Sequence, residues 1–226
     1  MSIKTIIAIG LLVIGTTTVA QTSKTTEVNM EKLGLTQEWD KTFPQSDKVL
    51  HSKVTFRNRY GITLAADMYV PRNVGGKLAA IAVSGPFGAV KEQSSGLYAQ
   101  ALAERGFLTI AFDPSFTGES GGQPRNIASP DLNTEDFSAA VDYLVTHNDV
   151  DAERIGILGI CGWGGFAINA AANDTRIKAT IASTMYDIGR CTANGYNDKM
   201  TADERYKMRE QLNAQRTVDA RNGTYQ

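Results

Sequence analysis

Histidine, cysteine and tryptophan are nearly missing from this 226-residue chain, which has two of each, and its charges almost cancel at a formal net charge of −1. Each scarcity excludes something. A balanced charge removes the electrostatic footprint of a protein that binds nucleic acid or an anionic membrane surface. No metal site and no cofactor is read from the sequence. The most apolar stretch, Ile6 to Ile14, is well short of the ~20 residues that span a bilayer, so no stable membrane anchor is expected. Internal repeats and low-complexity segments are absent too. A hydrophobic content of 42% is that of an ordinary globular protein able to bury a core, and the length fits one α/β domain.

The N-terminus has the layout of a secretory signal peptide over residues 1–20. Lys4 precedes the apolar run, and small residues lead to Thr18-Val19-Ala20, with cleavage expected after Ala20. The mature protein is therefore expected to be exported, periplasmic or secreted, with no cysteine after the apolar run to carry a lipid. In an oxidising compartment Cys161 and Cys191 are either a disulfide or two free thiols, and spacing alone leaves both open. Residues 21–48 are polar and read as a leader that packs on the edge of a domain covering 49–226.

Within that domain the hydrophobic period changes. Val49 to Phe56 and Ile62 to Val70 alternate around Tyr60-Gly61, which predicts an antiparallel hairpin. Leu78–Val83, Phe107–Phe112, Ile155–Ile160 and Ile177–Ser183 are short continuous apolar runs, as expected of strands buried on both faces. Between them lie helical patterns. One covers Lys91 to Arg105, with Leu97, Tyr98, Ala101 and Leu102 on one face and Gly106 as its end. A second is capped by Asn133 or Thr134 and carries Phe137, Ala140, Val141, Leu144 and Val145 on one stripe. A third is the Ala-rich stretch from Phe166 to Ala172. Residues 187–226 form a cap-like helical segment, with a charged helix from Thr201 to Ala220. Strand–helix alternation of this kind implies an α/β fold with a mostly parallel, doubly wound sheet.

Gly159-Ile160-Cys161-Gly162-Trp163-Gly164-Gly165 lies between a buried strand and the Ala-rich helix. This is the setting of a nucleophile elbow, a strained strand-to-helix turn that lifts a Ser or Cys above the sheet. Small neighbours suit so crowded a turn, and the helix N-terminus favours an anionic sulfur. The usual pattern is Gly-x-Ser/Cys-x-Gly, whereas Trp163 occupies the last Gly position here. Aligned from the strand, Cys161 is the nucleophile; the alternative is a buried structural cysteine in a tight turn. Ser84-Gly85-Pro86-Phe87-Gly88 follows the strand ending at Val83, where such folds place one oxyanion-hole N–H, the other coming from the residue after the nucleophile. Pro86 has no N–H, so Phe87 and Gly162 are the candidates. Asp113 and Glu119, in the loop after Phe112, are read as structural.

Together, the Gly85–Gln93, Phe112–Gly122, Arg154–Gly165 and Arg176–Asp187 stretches resemble the α/β-hydrolase superfamily. More narrowly they resemble its dienelactone-hydrolase and X-prolyl-dipeptidase-like branch, which includes the polyketide transferases. The resemblance runs from about residue 48 onward. It implies a three-layer fold and acyl chemistry on a small-molecule ester or thioester, with Cys161 as nucleophile and Phe87 and Gly162 at the oxyanion. It supplies no histidine: His51 lies in the hairpin and His147 near a helix end, both read as surface or turn residues, and Asp187 is the one candidate acid. The sheet is accordingly expected to be truncated after its sixth strand. Two readings follow, an acyl hydrolase with a cysteine nucleophile or a catalytically impaired domain without its base. On the signal-peptide reading, N-terminal sequencing of protein from its native host should begin at Gln21, and an intact Met1 on most molecules would refute it.

Overall fold

The computed structural model describes residues 32–225 apart from Asn73, so the signal-peptide reading and the start of the leader lie outside the described residues. Six strands form one sheet in the order β1-β2-β4-β3-β5-β6. The hairpin is β1 (Val49–Arg57) and β2 (Thr63–Pro71), paired antiparallel, and β2 continues antiparallel onto β4 (Leu108–Phe112). From β4 the sheet is parallel through β3 (Leu78–Ser84), β5 (Val150–Ile160) and β6 (Ile177–Ser183). Helices α1 (Ser94–Ala103), α2 (Pro130–Thr146) and α3 (Gly162–Asn173) connect the parallel strands, and α4 (Ile188–Asn194) and α5 (Ala202–Asn222) follow β6.

Two cores make this a three-layer fold. Helices α2 and α3 place Phe137, Val141, Leu144, Phe166 and Ala170 on the Ile110, Phe112 and Ile157 side of the sheet. Helix α1 places Ala99 and Ala103 on the Ile81, Val83 and Leu158 side. Strand β3 starts the parallel part, with β4 laid on one side of it and β5 on the other. The chain direction around the sheet therefore reverses at β3, and the crevice beyond the carboxyl ends of β3 and β5 is where open α/β sheets bind ligands.

Four expectations change. Strand β6 is not buried on both faces: Lys178–Ile181 are exposed, because β6 is the edge of the sheet formed by the described residues. Helix α1 turns its small residues inward: Ser95, Gly96, Ala99, Gln100 and Ala103 are buried, whereas Leu97 and Tyr98 are 47% and 43% exposed. Close approach decides this, because a Cβ on Gly96 would meet the Lys91 carbonyl at 2.3 Å and the Phe43 ring at 3.1 Å. Helix α2 begins at Pro130 with Ser129 as N-cap, not at Asn133 or Thr134, since proline suits the first helical position. Asn133 is instead buried, accepting from the Ser129 N–H at 2.9 Å and donating to Asp136 at 3.1 Å. His51 is not a surface residue. Its Nε2 meets Asp67 Oδ1 at 2.8 Å, beside Lys41 and under the Trp39 ring. The second half of the leader packs there, with Phe43 buried and Lys41 joined to Asp67 at 3.1 Å.

The same face holds a second ionic cluster. Asp113, fully buried, accepts from the Lys91 N–H (2.8 Å), Lys91 Nζ (2.8 Å) and the Glu119 N–H (2.9 Å). Lys91 Nζ also meets Glu92 and, at 2.7 Å, Glu119, which Lys53 reaches at 2.7 Å. Burial works to lower the Lys91 pKa, but Asp113, Glu119 and Glu92 together hold it above the ordinary lysine range. Burial likewise opposes ionisation of Glu119, yet Lys53 and Lys91 bring it down to about 2. Asp113 and Glu119 are thus structural, as their turn context predicts. Removing one partner of a buried ion set strands the other charge, at about 3–5 kcal/mol. Lys91→Ala should lower stability by about that amount in urea unfolding; a loss below ~1 kcal/mol would contradict a dependence of the fold on this cluster.

Candidate functional site

Strand β5 delivers Cys161 to the carboxyl edge of the sheet, and α3 starts at the next residue. Cys161 has φ 58° and ψ −125°, a conformation that costs a side-chain-bearing residue about 1–3 kcal/mol and persists only where its surroundings over-determine it. They do. The Cys161 N–H donates to the Ser183 carbonyl at 2.9 Å, and the Cys161 carbonyl accepts from the N–H groups of Gly164 and Tyr186, both at 3.0 Å. The end of β6 and the chain just after it therefore clamp the turn from one side.

Glycine explains the other side. A Cβ on Gly159 would stand 2.2 Å from the Trp163 carbonyl oxygen and 2.8 Å from the Ala167 Cβ. A Cβ on Gly162 would stand 2.7 Å from the Ile188 side chain and 3.3 Å from the Phe87 ring. The Trp163 anomaly is resolved across the crevice at Gly85, which has φ 103° and whose Cβ would lie 2.8 Å from the Trp163 side chain. The missing small residue of the elbow is thus supplied by the loop after β3. The indole itself is buried among Phe137 and Phe166, at ring separations of 6.3 and 5.0 Å.

Phe87 and Gly162, the two candidate oxyanion donors, are brought together here. The Phe87 ring lies over Gly162, and among the described residues the Phe87 N–H meets no acceptor. The Gly162 N–H is the first of α3, where helix geometry supplies none. Asp187 is close in sequence to the Tyr186 N–H that binds Cys161, but it is exposed and its Oδ1 caps α4 by accepting the Arg190 N–H at 2.8 Å. Cys161 and Cys191 are both free thiols, which decides against a disulfide in this structure. Desolvation, followed by its Cys191 and Tyr196 neighbours, raises the Tyr186 pKa. Tyr186 and Ile188 border the elbow; the sequence suggests Tyr186 as part of an apolar wall, whereas Ile188 carries no signal beyond following the β6 strand end.

The histidines stay away from the thiol. His51 is on β1, four strands from β5 in the sheet order, or roughly 19 Å at ~4.8 Å per strand. His147 is the C-cap of α2, at the amino end of β5 rather than its carboxyl end.

The sequence profile of the X-Pro dipeptidyl-peptidase (S15) family matches residues 60–223. The chain is 64% identical over 210 residues to an uncharacterized Pseudomonas aeruginosa protein, PA2218, covering 92% of this chain and 57% of that one. The crystal structure of the hypothetical protein PA2218 superimposes with a TM-score of 0.85 at 66% identity, over 86% of this chain and 61% of that one. The uncharacterized protein YcjY of Escherichia coli is 41% identical over 181 residues, covering 78% and 59%. A thiohydrolase of Aspergillus aculeatus, aneE, is 31% identical over 137 residues, covering 61% and 42%. The chain thus spans less than two thirds of the length of each.

The crowding at the elbow gives a direct test. Gly159→Ala must push apart β5 and α3, and overpacking of this kind costs about 1–3 kcal/mol. It should lower the urea midpoint by the corresponding amount and change the reactivity of Cys161 towards iodoacetamide. A variant indistinguishable from the parent in both would show that the turn relaxes freely.

Proposed function

The chain belongs to the X-Pro dipeptidyl-peptidase (S15) family and has the α/β-hydrolase fold, and from that premise we propose that the protein is an acyl hydrolase whose nucleophile is Cys161, acting on ester or thioester carbonyls. The observation that carries this is the Cys161 backbone, at φ 58° and ψ −125° between β5 and α3. A strained residue at the carboxyl edge of the sheet, with two N–H groups beside it, is arranged for attack on a carbonyl and for holding the resulting oxyanion.

In this reading the Cys161 sulfur adds to the carbonyl carbon, and the Phe87 and Gly162 N–H groups receive the negative charge. Collapse of the tetrahedral species expels the alcohol or thiol and leaves an acyl-cysteine that water hydrolyses. Thioesters are the less demanding substrates for a cysteine nucleophile. A thiol leaves readily as its anion, having a pKa near 8.5, so expulsion needs no proton. An alkoxide needs one, and neither His51 nor His147 is placed to give it. The thiohydrolase named among the relatives is consistent with this choice. Hydrolysis of alkyl esters requires a base and acid that the described residues do not bring to Cys161. The runner-up, a catalytically impaired domain, rests on that same observation. Export from the cytoplasm remains part of the proposal, on the strength of the Lys4 and Ile6–Ile14 pattern.

Iodoacetamide at neutral pH separates the readings. Cys161 is the N-cap of α3 and so meets the partial positive charge of a helix N-terminus, which stabilises a developing anion, whereas Cys191 lies inside the short helix α4. Peptide mapping should find Cys161 alkylated first, and thioester substrates should leave a mass increase of one acyl group on it that Cys161→Ala abolishes. Equal labelling of both thiols, with no acyl adduct on Cys161, would leave the impaired domain as the better reading.

A further inference from the structure

A cavity of about 310 Å³ is walled in part by Phe87 and by Trp163 of the elbow. Phe87 and Trp163 belong to both: Phe87 lies over Gly162 and also walls the cavity, and Trp163 is two residues beyond Cys161 and lines it as well. The remaining apolar lining comes from Pro114, Ile127 and Ala128, and the polar lining from Thr117 and Asn126, so no charged side chain faces the space. Phe87 and Ile127 are 46% and 41% exposed. Large apolar side chains left open around a concave site are what an apolar ligand group covers.

The outer wall is built to keep its shape. The loop between β4 and α2 is cross-tied by Arg125, whose guanidinium donates to the carbonyls of Ser120 and, at 2.6 Å, Gly118. The Asn126 N–H donates to the Phe116 carbonyl and the Phe116 N–H to the Gly121 carbonyl, both at 2.8 Å. At its start the loop is held by buried Asp113 and its three donors. A preformed wall needs no ordering when a ligand arrives, which favours affinity.

We infer that this cavity is the subsite for the uncharged, apolar tail of the acyl group transferred to Cys161, and that Phe87 and Ile127 set the tail length accepted. The inference rests on Cys161 as the nucleophile for its functional meaning, but the pocket can be tested without the thiol. A charged end, such as the free ammonium of a short peptide, finds no counter-charge in this lining and is excluded by the cost of burying it unpaired.

The probe is a series of N-acetylcysteamine thioesters, from acetyl to octanoyl, titrated against the Cys161→Ala protein. Tryptophan fluorescence reports occupancy, because Trp163 lines the cavity whereas the other tryptophan, Trp39, packs with the opposite core of the sheet. Binding should tighten by up to about fourfold per methylene until the cavity is full. Ile127→Lys, which puts a charge at an already exposed position, and Ala128→Phe, which fills the space, should each flatten that dependence. A flat series in the Cys161→Ala protein, or an unchanged slope in both pocket variants, overturns the subsite. Failure of iodoacetamide and thioesters to modify Cys161 in the parent overturns the nucleophile instead, so the two results stay separate.

Discussion

One backbone angle organises this molecule: the positive φ of Cys161. A residue with a Cβ does not hold that conformation unaided, and each feature near it contributes to holding it. Gly159 lets β5 and α3 approach until strand and helix backbone nearly touch. Gly85 makes room across the crevice for Trp163. The Ser183 carbonyl and the Tyr186 N–H grip the peptide groups on either side of the thiol. The turn that forces φ positive also sets the partly buried Cys161 side chain at the start of α3, next to the first N–H of that helix. Loosening the turn would relieve the strain and lose the alignment together.

The buried ion cluster does related work at longer range. Lys91, Asp113 and Glu119 come from the segment before α1 and the loop after β4. Those are the two segments that flank the crevice on the Phe87 side. Apolar residues of similar volume in place of such a cluster are often no less stable, because desolvation offsets much of the attraction. What charge adds here is direction. Asp113 accepts from three donors at fixed positions, which sets the path of the loop where an apolar contact would let it slide. Loop and crevice are then positioned by the same core that closes α1 onto the sheet.

Much of this was legible in the sequence. Strands β3, β4 and the second half of β5 appear as continuous apolar runs because both their faces are buried, whereas β6 carries a similar run at the exposed edge of the described sheet; the Cys161 turn appears because only glycine fits beside it. Thr201 was readable as a cap, and it forms a reciprocal capping box with Glu204. The failures share one cause, which is that contacts between distant segments leave little trace in local pattern. Helix α1 shows Leu97 and Tyr98 on an apparently apolar stripe, yet the close approach of Phe43 and Lys91 at Gly96 selects the small-residue face instead. His51 alternates in a hairpin like any half-exposed residue, and only the leader folding back with Trp39 and Lys41 buries it against Asp67. Trp163 reads as a violation of the elbow until Gly85, nearly eighty positions away, is seen beneath it.

Those long-range contacts also bear on why a cysteine can serve at this position. In the proposed reaction, thioesters and alkyl esters differ in how much proton transfer the departing group demands. Attack on a thioester demands little of it during acylation, whereas release of the acyl-cysteine by water requires a proton to be taken from the water. The attacking and departing atoms are both sulfur, similar in basicity, and the charge that appears on the carbonyl oxygen would be received by the proposed Phe87 and Gly162 N–H donors. Alkyl-ester cleavage differs at the second step, where the leaving oxygen is far more basic than the attacking sulfur and an unassisted intermediate returns to reactants. General acid catalysis removes that bias and is typically worth ~10²–10⁴-fold. In the proposed reaction, the basicity of the leaving atom therefore separates thioesters from alkyl esters before any contact with the acyl tail is counted.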